Sequence, residues 1–133
     1  MKKEHHILAV ALFCIYVTAV AVLCLMKTDS FPDIGRNWLG IPVDKIAHFC
    51  MFLPYFPLAW MAFAAHKTGT GKWVAFVLIL ASGMAAAALT EVLQSSTEYR
   101  SGEAMDFLAD MTGIVAGALT IIIFRIRKQV SAK

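Results

Sequence analysis

Charge is scarce in this chain. Asp, Glu, Lys and Arg make up 16% of its 133 residues, against 59% hydrophobic residues. A soluble domain carries about a quarter charged residues. With a mean hydropathy of +0.69, the deficit excludes an ordinary water-soluble domain and points to the bilayer. Cysteine is nearly as scarce. Cys14, Cys24 and Cys50 all fall in apolar runs and no pair has CxxC spacing, so they read as apolar filler rather than as disulfide or metal ligands. No glycine-rich phosphate loop, nucleophile motif, internal repeat or low-complexity segment is present. The formal net charge of +3 sits beside apolar runs and forms no patch, which excludes a nucleic-acid binder. The length allows one domain, residues 1–133.

What the chain does have is apolar length. Ile7 to Met26 holds no charged residue, and at about 1.5 Å rise per residue a run of ~20 crosses the ~30 Å hydrocarbon core. Three more runs follow. The expected spans are about 7–26, 46–65, 73–93 and 107–126: an all-α, polytopic membrane protein with four transmembrane helices. A rival reading of the first run is a signal peptide, from its basic start and the Ala19-Val20-Ala21 triplet. Residues 27–43, with Pro32, Gly35, Gly40 and Pro42, read as a turn-rich loop whose Phe31, Trp38 and Leu39 suit the interface. Pro54 and Pro57 remove the N–H groups that would bond the carbonyls of Cys50 and Leu53, so a kink is expected there. His66 to Lys72 is a polar turn. Ser101 is a plausible N-cap for the last span.

Four spans put both termini on one side. Eight of the twelve basic residues fall on that side with Glu4, and eight of the nine acids fall on the other. The positive-inside rule then places both termini in the cytoplasm. The acids gather at the opposite, outer face. Asp44 and His48 are i, i+4 at the start of the second span. Glu91 and Gln94 end the third, where a carboxylate opposes the helix dipole. Asp106, Asp110, Gly113 and Gly117 form one stripe along the fourth. The glycines permit close packing, and the same stripe directs its two acids into that contact. The expected result is an outer pocket of Asp44, Lys45, His48, Glu91, Gln94, Arg100, Asp106 and Asp110.

In this pocket Asp44, one turn earlier, would orient the His48 ring. His48 and Glu91 are the candidate general bases, and Arg100 a clamp for phosphate or carboxylate. His48 with Asp44, Glu91 and Asp106 offers metal-ligand types, but no HExxH-like spacing fixes a site, so no metal or other cofactor is expected. A purely structural ion-pair network is the competing reading, although it leaves an excess of acids. Under the pocket reading, Glu91→Gln and His48→Ala should abolish function and leave folding nearly intact.

Asp44-Lys45-x-x-His48-Phe49, Glu91-x-x-Gln94, Arg100, Asp106, Gly113 and Gly117 together resemble the VanZ-like family of small bacterial membrane proteins, over about residues 44–118. The resemblance implies a multi-pass protein of the bacterial cytoplasmic membrane and an association, by family only, with resistance to the glycopeptide teicoplanin. Two positions depart from the pattern. Glu98-Tyr99 stands where members often carry Pro-Gly, and Asp110 where they commonly carry Asn. The expected partners are membrane lipids and an envelope lipid headgroup or glycopeptide-type compound, with no nucleic acid. The alternative is a membrane-embedded enzyme acting on a lipid-linked envelope precursor.

Overall fold

The computed structural model describes residues 3–26, 37–38, 40–96 and 103–131. Helix α1, Lys3–Leu25, leads to a short antiparallel pair, β1 (Asn37–Trp38) and β2 (Ile41–Pro42), turned at Gly40 with φ of 80°. Helices α2 (Val43–Phe52), α3 (Tyr55–Phe63), α4 (Gly69–Ser95) and α5 (Ala104–Ser131) follow. Among the described residues, four segments are long and apolar enough to cross a membrane: α1, α2 with α3, α4, and α5. The all-α reading of the sequence therefore holds. The last two helices run past the expected ends, because Gly69–Lys72 and Arg127–Ser131 continue the helical ladder. Phe31, Leu39 and Ser101 lie outside the described residues, as does the side chain of Trp38.

The surface is apolar. Ile7, Leu8, Ile15, Trp73, Val77, Leu78, Leu119 and Phe124 are all exposed. Polar side chains are instead found inside: His48, Gln94, Asp106 and Asp110 are buried. This distribution suits a helical bundle whose solvent is lipid, where backbone groups are satisfied within each helix. Aromatic rings fill much of the interior. Phe56 stacks on Trp60 at 6.0 Å and meets Phe76 at 4.9 Å, while Phe13 of α1 contacts Tyr55 and Phe63 edge-on.

The second span is broken where the prolines stand. α2 ends at Phe52, and Pro54 caps the start of α3. Neighbouring helices close over the break. Tyr16 of α1 donates its hydroxyl to the carbonyl of Met51. α5 packs its glycines against the exposed backbone. A Cβ at Gly113 would lie 2.5 Å from the Phe49 carbonyl oxygen. A Cβ at Gly117 would meet the carbonyl oxygen of Leu53, the group whose helical partner Pro57 removes. The kink and the two glycines are thus one packing feature. It brings α2, which packs mainly against α5, close enough for the polar residues of both helices to meet.

Candidate functional site

The polar end of the bundle is built from the first turns of α2, the last turns of α4 and the first turns of α5. Two clusters form side by side. In the first, Lys45 is a hub. Its Nζ bonds Asp44 Oδ2 at 3.0 Å, Glu103 Oε2 at 2.6 Å and Asp106 Oδ1. Asp44, Glu103 and Asp106 each contribute one oxygen to a group within 4.8 Å of one another, and the ammonium joins all three. Three carboxylates around one lysine leave net negative charge, and of the three only Asp106 is buried.

The second cluster is deeper. His48 Nδ1 donates to Asp110 Oδ1 at 2.9 Å. With a carboxylate as partner, Nδ1 carries the proton, and in the neutral ring Nε2 keeps a lone pair. The nearest acid to Nε2 is Asp106, whose Oδ2 lies 3.7 Å away, beyond hydrogen-bond reach. Glu91 completes the group: one ligand atom each from His48, Glu91 and Asp110 lie within 4.8 Å of one another. His48 Nε2, Glu91 Oε1 and Asp110 Oδ2 are buried and unbonded. Native proteins leave few such groups, so three in one place call for an explanation. Beside them a groove of about 370 Å³ is lined by Ala88, Glu91, Val92, Ser95, Glu103, Ala104 and Phe107. Glu91 belongs to both the groove and the buried cluster.

Several expectations change. The His48 ring is oriented by Asp110, not by Asp44. Asp44 points to Lys45 and its side chain is 47% exposed. The i, i+4 spacing put Asp44 and His48 on one face, but α5 offers a closer carboxylate to the ring. Gln94 Nε2 donates to the Cys24 carbonyl at 2.9 Å, which ties α4 to α1. Glu91 is not structurally idle. Its Oε2 accepts the backbone N–H of Glu103 at 3.0 Å, just before α5 begins. The Glu103 carbonyl in turn accepts from Asp106 N at 2.9 Å, so Glu103 stands at the start of that helix. Glu103 is the residue the sequence reading left out of the pocket. Its spacing of three from Asp106 was the available signal. Arg100 lies outside the described residues. Among those described, no hydroxyl or thiol bonds His48 Nε2.

A bundle of four apolar segments with ionisable side chains gathered at one end defines a polytopic helical membrane protein. The chain belongs to the VanZ/LLP1 family, whose model matches residues 8–125. No curated protein and no solved structure matches the chain.

Proposed function

We propose that this VanZ/LLP1 protein binds a polar headgroup of a cell-envelope lipid, or an envelope-active compound, in a pocket at the outer face of the bacterial cytoplasmic membrane. The carrying observation is the set of three buried, unbonded polar atoms next to a groove that Glu91 also lines. A structural network would pair these atoms. A binding site holds them for an incoming group. Among the described residues, this end holds five acids, Asp44, Glu91, Glu103, Asp106 and Asp110, and one lysine, which bonds Asp44, Glu103 and Asp106. That excess of acids favours a ligand bringing an ammonium or several hydroxyl donors.

The orientation supports the outer face. Lys67, Lys72, Arg125, Arg127 and Lys128 lie at the end opposite the acids, and basic residues are retained on the cytoplasmic side. Both termini are then cytoplasmic.

Native mass spectrometry of the purified protein tests the reading. The wild type should retain phosphatidylethanolamine over phosphatidylglycerol, and Glu91→Gln with Asp106→Asn should lose that preference. Equal retention of both lipids by wild type and variant overturns it. One observation favours a second reading, chemistry on a lipid-linked precursor: Asp110 holds the His48 ring with Nε2 unbonded, the arrangement of a general base. Product formed from a radiolabelled lipid-linked precursor by purified protein, and lost in His48→Gln, would establish it.

A further inference from the structure

The basic end of the bundle has a groove of its own. It holds about 370 Å³ among α3, α4 and α5, at the end opposite the acids. Lys72 stands in the first turn of α4, Arg125 and Gln129 in the last two turns of α5, and all three line it. The other side chains of the lining are aromatic or aliphatic: Trp60, Trp73, Phe76, Ile121, Ile122 and Ile126. Trp60 holds Arg125 at this wall. The guanidinium carbon lies 5.3 Å from the Trp60 ring centroid, a cation–π contact that uses no N–H donor. Lys72 and Arg125 are half-buried, and neither forms an ion pair among the described residues. The one described acid at this end, Glu4, bonds neither of them. Two half-buried cations beside an apolar groove, with no carboxylate to neutralise them, favour an anion that brings an apolar body.

We propose that this groove binds an anionic phospholipid whose headgroup is a bare phosphate, as in phosphatidic acid, from the leaflet on the side of the termini. Lys72 and Arg125 meet the phosphate, while Phe76, Ile121 and Ile122 receive the first carbons of an acyl chain. The charges match. A phosphate monoester carries about −1.5 to −2 at neutral pH, set here against two cations, whereas the phosphodiester of phosphatidylglycerol carries a single negative charge. A choline or ethanolamine headgroup would bring an ammonium towards the same two cations. Among the described residues of the lining, Gln129 is the one amide or hydroxyl side chain, too little to read a sugar or glycerol headgroup as well. Free phosphate lacks the apolar body that the aromatic and aliphatic walls would cover. This site lies at the far end from the acidic pocket and does not rest on the headgroup reading made for that pocket.

Trp60 supplies the readout. It is 7% exposed yet lines the groove, so a lipid seated there quenches it and the general lipid surround does so far less. Full-length protein carrying Trp38→Phe and Trp73→Phe keeps Trp60 as its only tryptophan. It is reconstituted in phosphatidylcholine vesicles with phosphatidic acid, phosphatidylglycerol or phosphatidylcholine bearing brominated acyl chains. Fluorescence is read as a ratio to the same lipid without bromine. Phosphatidic acid should be preferred over phosphatidylcholine about tenfold, with phosphatidylglycerol between them. Lys72→Gln/Arg125→Gln should abolish the preference, and Lys72→Arg should keep it. If the double variant fails to fold, Lys72→Gln alone still decides, by a reduced preference. Glu91→Gln/Asp106→Asn should leave this quenching unchanged, and Lys72→Gln/Arg125→Gln should leave the phosphatidylethanolamine preference of the acidic end unchanged, so failure of either site is read apart from the other. Absence of any preference with Lys72 and Arg125 in place overturns the proposal, as does a preference that survives their removal. Equal preference for phosphatidylglycerol and phosphatidic acid overturns the monoester assignment. Full displacement by inorganic phosphate at constant ionic strength would show a site for the free anion and overturn the lipid.

Discussion

Lys45 and His48 are three residues apart on one helix, and they meet different carboxylates on α5. Lys45 reaches Asp106, and His48 reaches Asp110, one turn further along. Their removal should differ accordingly. His48→Ala leaves Asp110 buried without its partner, so a stability loss of about 3–5 kcal/mol is expected, read as a lower melting temperature in detergent. This replaces the expectation that folding survives that change. Lys45→Met leaves three acids facing one another. Because Asp44 and Glu103 are exposed, the loss should be smaller, about 1–3 kcal/mol by the same measurement. Glu91→Gln keeps an amide oxygen to accept the Glu103 N–H. Its melting temperature should stay near wild type, a change of about 0.5 kcal/mol or less, while ligand binding is lost. Unfolding of Glu91→Gln would return the cluster to a structural role.

At the scale of elements, the decisive contact is α5 on the broken second span. Glycine is needed because backbone meets backbone there. At Gly117 an added Cβ would also lie 3.0 Å from Pro57 Cδ, in addition to the Leu53 carbonyl. Gly113→Ala and Gly117→Ala should each destabilise by about 1–3 kcal/mol through overpacking, and leucine at either position by more. Gly71→Ala is the control: it lies near the start of α4, and nothing comes within 4 Å of an added Cβ. Equal melting temperatures for all three alanine variants would remove the close-approach argument. Pushing α5 outward would also draw Asp106 and Asp110 away from α2. The glycine variants should therefore weaken binding as well as stability.

For the whole molecule, the asymmetry of charge is the main observable. Described acids other than Glu4 gather at one end, and Lys67, Lys72, Arg125, Arg127 and Lys128 at the other. A reporter active only outside the cytoplasm should stay silent at either terminus and become active when inserted between residues 96 and 103. Activity at the C-terminus would reverse the assignment of the pocket to the outer face. α1 is packed into this bundle rather than set apart from it. Cys24 is fully buried, its carbonyl accepts from Gln94, and Tyr16 covers the break in the second span. N-terminal sequencing of the membrane-inserted protein should therefore not begin after Ala21.

The sequence alone determined the spans, because helix length against bilayer thickness is a local count and apolar run lengths can be read directly. It also determined the faces. Spacing of three or four put Asp106, Asp110, Gly113 and Gly117 on one stripe, and two prolines marked the break. Only the tertiary structure decided the partners. His48 meets Asp110 across 62 residues and Lys45 meets Asp106 across 61, and no periodicity within one helix specifies which face of another it will touch. Gln94 lay on a polar motif yet turned to α1, because a donor near the Cys24 carbonyl can be identified only once α1 and α4 are packed. Local spacing fixes direction around an axis. Which charges share a low-dielectric interior depends on how close two axes come, and here the Gly113 and Gly117 contacts with the Phe49 and Leu53 carbonyls set that approach.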